Sequence, residues 1–122
     1  MEVQVFGTKR SAETRKALRF FSERRVRVHF VDLMERAASL GELTRFAQKF
    51  GAGALVDRDG KRFAELGLGV AQYSDERWLA RLVDDPALLR TPLVRWQQRL
   101  TVGLDEATWK EWMATEQASG RA

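Results

Sequence analysis

Ser11 and Thr14 stand three residues apart at the start of a helical pattern, just after an alternating stretch that breaks at Gly7, with Lys9, Arg10 and Arg15 around them. Hydroxyls at a helix start can do two kinds of chemistry. A serine oxygen can attack an electrophile when a base removes its proton, or it can cap the helix while the free amides and cations hold an anion. The chain has no cysteine in 122 residues and one histidine, His29, placed in a later strand with no Asp beside it as an orienter. Thiol nucleophiles, disulfides, Cys-ligated zinc and iron–sulfur clusters are therefore excluded within this chain, and no metal site is expected. Ser11 reads as an N-cap contributing about 1 kcal/mol. Lys9, Arg10, Ser11 and Arg15 form a candidate anion site for weak phosphate or sulfate binding, with the helix dipole behind it. The alternative, that these cations simply face solvent, stays open at this point.

The elements that position these residues follow from apolar spacing. Val3 to Phe6 alternates as a strand, and Gly7 stops it. From Ser11, the residues Ala17, Leu18 and Phe21 share one helical face while Arg15, Arg19 and Glu23 take the other, which predicts a helix ending near Arg24 or Arg25. Val26, Val28 and Phe30 alternate into a second strand reaching Asp32 and Leu33; a helical crossover makes it parallel to the first. A second helix is signalled from Ser39 by Leu40, Leu43, Phe46, Ala47 and Phe50, ended by Gly51. Ala54 to Val56 is a short apolar piece, Asp57 to Lys61 a turn, and Arg62 to Leu66 a short helical turn. Gly67-Leu68-Gly69 lacks the spacing of a phosphate loop. Ser74 or Asp75 caps a helix carrying Trp78, Leu79 and Leu82, which stops at Asp84-Asp85-Pro86. Pro92 to Trp96 and Leu100 to Val102 form a hairpin, and Asp105 caps a last helix with Trp109, Trp112 and Met113 on its apolar face. One domain over residues 1–116 is expected, with 117–122 as a flexible tail.

Composition narrows the setting. An apolar fraction of 44% with 31% charged residues is that of a folded globular protein. No apolar run approaches the roughly 18 residues of a membrane span, and the first residues do not resemble a signal-peptide core, so a cytoplasmic protein without membrane association is expected. The net charge of +4 comes from 21 basic residues interspersed with 17 acidic ones, mostly a solvated face. Arg24-Arg25-x-Arg27 is a small basic cluster without aromatic platform spacing, so direct nucleic-acid binding is not expected. Trp109 and Trp112 read as core, or as an exposed dimer or partner patch.

Three stretches carry a closer likeness: Phe6-Gly7-Thr8-Lys9 with Thr14-Arg15-Lys16-Ala17; Leu55-Val56 with Arg62-Phe63 and Leu66-Gly67-Leu68; and Asp85-Pro86-Ala87-Leu88-Leu89-Arg90-Thr91-Pro92-Leu93-Val94 followed by Arg99-Leu100-Thr101-Val102-Gly103-Leu104. In order and spacing the chain resembles the ArsC/Spx family, the arsenate reductase-like branch of the thioredoxin superfamily, over nearly its whole length. The resemblance implies an α/β, thioredoxin-like (glutaredoxin-like) three-layer fold with a four-stranded mixed sheet flanked by helices and an ArsC-type helical insertion. It places Ser11 where the family has its nucleophilic Cys, and Thr14 where Spx-type members have a second Cys. The family's oxyanion-holding Arg matches Thr91. Arg90 lies one position earlier, and because adjacent strand side chains point to opposite faces it is not expected to substitute. Thr8, Thr14, Arg90, Thr91 and Pro92 are the expected pocket lining, with Pro92 at a position resembling the cis-proline of thioredoxin folds. With no cysteine at Ser11 or Thr14, the expectation is a non-catalytic binding or regulatory module without cofactor, and the resemblance to Spx implies docking on a protein such as RNA polymerase. The alternative is a glutathione-dependent reductase or transferase in which the Ser11 hydroxyl activates the glutathione thiol.

Overall fold

A computed structural model describes residues 1–120. The opening residues form β1 (Glu2–Gly7), α1 (Ala12–Glu23) and β2 (Arg27–Asp32), a parallel βαβ unit in which Glu2 through Gly7 pair in register with Arg27 through Asp32. Three helices follow, α2 (Leu40–Phe50), the short α3 (Lys61–Glu65) and α4 (Asp75–Asp84), with 3-10 turns at Ala52–Leu55, Leu68–Val70 and Pro86–Leu88. The hairpin β3 (Leu93–Trp96) and β4 (Arg99–Val102) then returns to the sheet, and α5 (Glu106–Gly120) closes the chain. Strand order is β2-β1-β3-β4, with β3 antiparallel to both β1 and β4. The resulting four-stranded mixed sheet with helices on both faces is the thioredoxin-like arrangement.

Period-two alternation sorts the strands between two apolar clusters. Val3, Val5, Val94 and Trp96 face α1 and α5, where they meet Ala17, Phe20, Phe21, Trp109 and Trp112. Phe6, Val31, Leu93 and Leu100 face the other layer, built on Leu43 and Phe46 of α2 and on Trp78, Leu79 and Leu82 of α4. Trp109 and Trp112 are buried, so the exposed tryptophan patch allowed by the sequence is not formed. Helix α5 also continues to Gly120, through residues 117–120 of the expected tail; residues 121 and 122 lie outside the described part. Leu40 and Phe50, read as part of the α2 stripe, are exposed, because they sit in the first and last positions of that helix, beyond the contact with the sheet.

The helix starts are capped as their sequences require. Ser74 Oγ accepts from the Arg77 amide at 3.2 Å, and Asp105 Oδ1 accepts from the Thr108 amide at 3.2 Å. At α2 a reciprocal box forms: Ser39 Oγ accepts from the Glu42 amide at 3.1 Å, and Glu42 Oε1 accepts from the Ser39 amide at 2.9 Å. Arg36 adds a two-pronged contact, Nη1 and Nη2 reaching the Glu42 oxygens at 2.9 and 3.1 Å. These bonds, Arg36 foremost, lower the Glu42 pKa to about 2. A carboxylate depressed in the folded state contributes its stability above the unfolded pKa of about 4.3, and that contribution fades as pH falls towards 2. Glu42→Ala is therefore expected to cost about 1 kcal/mol at neutral pH. The gap between the variant's and the wild type's thermal midpoints should narrow between pH 4 and pH 2; a gap independent of pH would contradict the role given to the carboxylate.

Candidate functional site

The loop from β1 into α1 is fixed by its own backbone. The Ser11 amide donates to the Thr8 carbonyl at 3.1 Å, and Ser11 Oγ accepts from the Thr14 amide at 3.2 Å, so Ser11 is the N-cap of α1. Helix and strand touch closely here. Thr14 is fully buried against Gly7, where an added Cβ would lie 2.5 Å from Thr14 Oγ1, and that hydroxyl has no hydrogen-bond partner.

Facing this helix start is a second wall. Val56 and Leu89 form an isolated antiparallel bridge, the Asp57 amide donates to the Leu88 carbonyl at 2.8 Å, and the Arg90 amide donates to the Leu55 carbonyl at 2.7 Å. These bonds tie the turn before α3 to the segment leading into β3. Arg62 Nε braces the same corner through Asp85 Oδ2 at 2.7 Å, which raises the guanidinium pKa further. Between the walls lies an open cleft of about 1240 Å³.

Of the residues singled out in the sequence, the cleft brings together Thr8, Arg10, Ser11, Arg90 and Thr91. Lys9, Thr14, Arg15 and Pro92 are not among its lining. Thr14 is packed under Gly7, and Pro92, joined to Thr91 by a cis peptide bond, is buried beneath the cleft. Arg15 Nη1 turns back to donate to the Lys9 carbonyl at 2.6 Å, steadying the loop instead of facing the cleft. Arg90 and Thr91 both belong to the cleft lining, in a segment that precedes β3 and is not part of a ladder. The Arg90 guanidinium lies over Gly103, whose φ of 78° and missing side chain leave the space; a Cβ there would be 2.9 Å from Nη2.

In the opposite wall, Gly53 to Lys61, the sequence shows a short apolar piece at Ala54 to Val56 and a turn at Asp57 to Lys61, with no sign of a site. Its Asp57, Arg58 and Asp59 add both signs of charge to the cleft, so the site is mixed and not a purely cationic cradle. No spacing in the sequence announces that juxtaposition, since it depends on the bridge between Val56 and Leu89. His29 is exposed on β2 and outside the cleft, leaving Ser11 without an imidazole base. Among the described residues no group of three or more acidic or imidazole side chains could hold a metal ion.

What the arrangement retains is a hydroxyl and free amides at the positive end of a 12-residue helix. A thiol placed there is stabilised as thiolate. Ser11→Cys is expected to titrate clearly below the ordinary value of about 8.5, within the range of roughly 3.5–7.5 seen at such positions. Absorbance of the thiolate against pH measures this, and a pKa near the ordinary value would show that the helix end exerts no field on residue 11.

A four-stranded thioredoxin-like sheet, with a cleft between the first helix's N-terminus and a segment leading through a cis-proline, defines the class of protein. Solved structures agree. The YffB protein superposes with a TM-score of 0.83 at 19% identity, covering 89% of this chain and 96% of its own, and an arsenate reductase from Vibrio cholerae with 0.73 at 23% identity, covering 84% and 89%. The model of the ArsC family matches residues 6–112, and the chain belongs to that family. An arsenate reductase of Neisseria meningitidis is 28% identical over 105 residues, 84% of this chain and 90% of the relative. Within this family the chain is arsenate reductase-like in sequence and fold, and it carries no cysteine.

Proposed function

We propose that this chain is a thiol-free ArsC-family member that works by binding, as a regulatory or adaptor module docked on a protein partner, Spx-like, with RNA polymerase as the first candidate. One observation carries the reading. Ser11, at the position resembling the family's nucleophilic Cys, has its oxygen engaged as the α1 cap, with the lone imidazole elsewhere. A serine hydroxyl neither exchanges disulfides nor attacks an oxyanion unaided, so the step that defines a thiol-dependent reductase has no agent in this chain. The α1 amides and Arg10 leave room for weak phosphate or sulfate binding in the cleft. A cytoplasmic location belongs to the same proposal. Among the described residues no helix is long and apolar enough to cross a membrane.

The cleft volume favours one competing reading. About 1240 Å³ is ample for a tripeptide, so glutathione could lie along the cleft with its sulfur held by the Ser11 hydroxyl. Turnover separates the two. The purified chain, given arsenate, glutathione and a glutaredoxin, is expected to show no reduction above the protein-free rate. Activity that disappears in Ser11→Ala overturns the binding reading. Direct retention of purified RNA polymerase subunits on the immobilised chain tests the partner.

A further inference from the structure

The protein's excess charge is not spread evenly. Residues 1–27 hold eight of the 21 Lys and Arg but three of the 17 Asp and Glu, a balance of +5, against −1 for residues 28–122. Among the described residues none of these eight cations lies within ion-pairing distance of a carboxylate; the side-chain ion pairs formed involve Arg36, Lys61 and Arg62. Three of the eight, Arg24, Arg25 and Arg27, meet at the corner where α1 turns into β2, with Glu23 and Glu2 beside them, while Lys9, Arg10, Arg15 and Lys16 lie towards the other end of α1. There Arg24 stacks on Phe20 with its guanidinium carbon 3.8 Å from the ring centre, Arg25 takes the turn at φ 57°, and Arg27 and His29 stand exposed on the strand.

That strand is an edge of the sheet, bonded to β1 alone. In a parallel pair each residue directs its N–H and C=O to the same side, and the side alternates along the strand. The Arg27 amide reaches the Met1 carbonyl at 3.3 Å and the Leu33 amide the Gly7 carbonyl at 3.0 Å, so the odd-numbered residues face β1. Val28 and Phe30 therefore direct both backbone groups outward. Asp32 shares their parity, but its carbonyl accepts from the Glu35 and Arg36 amides, which ends the free edge.

We propose that this edge docks an extended acidic segment of a partner protein, which adds to the sheet by pairing with Val28 and Phe30 while its carboxylates meet Arg24, Arg25, Arg27 and His29. Main-chain bonds supply the template and the cations select the sign. A second copy is the poorer complement, because parallel pairing sets one cationic corner against another and antiparallel pairing offers it only Asp32 and Glu35. A nucleic acid fits less well. Among the described residues the corner has no exposed aromatic ring for stacking, Phe20 and Phe21 being buried and Phe30 half-buried, and a duplex makes no use of a free strand edge. The acidic end of β2 sets the direction: Asp32 and Glu35 oppose carboxylates there, so the segment's charge belongs at the Arg25 end. The inference rests on the binding-module reading and names its surface, yet it is read without any assay of turnover.

The test uses the full chain and a fluorescein-labelled octapeptide of alternating Glu and Val, followed by fluorescence polarisation. Binding is expected for this peptide and not for its Lys counterpart. Val28→Pro removes one outward N–H and none of the bonds to β1, and is expected to weaken binding about tenfold while the melting temperature holds. Should that variant fail to fold, Arg27→Glu with His29→Glu is expected to give a similar loss. Hydrogen exchange supplies an independent signature: the peptide should slow the amides of Val28 and Phe30, leaving those of His29 and Val31, already bonded, unchanged. Unaltered binding by Val28→Pro and by the charge-reversed variant overturns the proposal. So does tighter binding of oligothymidylate or anionic vesicles than of the peptide, which would make the corner a general polyanion or membrane surface. Failure here with no reductase activity leaves the binding-module reading intact; reductase activity with the peptide bound removes that reading and keeps the edge.

Discussion

Trp109→Ala is expected to cost about 3–5 kcal/mol of unfolding free energy, a large share of the 5–15 kcal/mol typical of a domain. The indole is fully buried between α5 and the sheet, with ring centres 5.4 Å from Phe20 and 4.9 Å from Phe21. Its N–H donates to Thr101 Oγ1 at 2.8 Å, and Thr101 is itself buried on β4. Truncation therefore opens a cavity among aromatic rings and strands a buried hydroxyl at once. Thr101→Val separates the two contributions: it leaves the packing and orphans the indole N–H, for an expected loss of about 1–3 kcal/mol. Urea denaturation followed by circular dichroism measures both. Equal losses for the two variants would mean that the hydrogen bond, and not the volume, holds α5 in place.

Gly7→Ala is the second large effect, and it arises from close approach. The new methyl would meet Thr14 at 2.5 Å from Oγ1 and 2.7 Å from Cγ2, and a buried β-branched side chain has little freedom to move away. Overpacking of this kind costs roughly 1–3 kcal/mol. It should also push the start of α1 off β1, loosening the loop that holds Ser11. Thr14→Ala in the same chain removes the obstacle, so the double variant is expected to recover most of the loss, with a coupling of more than about 1 kcal/mol in a double-mutant cycle. Additive losses would place the damage in the strand backbone instead.

Much of this architecture was legible because the apolar periods are clean. Val3 and Val5, the Ala17 and Phe21 stripe, Leu43 with Phe46 and Ala47, and Trp78 with Leu79 and Leu82 each fall into one of the two clusters. The caps at Ser11, Ser74 and Asp105 were legible for the same local reason, as was the hairpin after Pro92. The site was legible only on one side. Ser11 and its neighbours announce a helix start, but the facing wall from Gly53 to Lys61 is brought there by a bridge between residues 33 positions apart in the chain, Val56 and Leu89. Side-chain direction was the other blind point. Arg15 lies beside the candidate anion site in sequence yet spends its guanidinium on the Lys9 carbonyl, and Thr14 turns inward beneath Gly7.

The central strand β1 is bonded along both edges, with Val3 and Val5 buried in one cluster and Phe6 in the other, while Glu2 and Gln4 leave the start of that second face polar. The amides of Val5 and Phe6 can reach solvent only when the helical layers on both sides have come away. The two cores are therefore expected to melt as one cooperative unit, with the slowest hydrogen exchange in the molecule at Val5 and Phe6. By the same reasoning the cleft walls, which rest on short turns and a single bridge, can breathe without disturbing that unit, so a ligand in the cleft could order them at little cost to the fold.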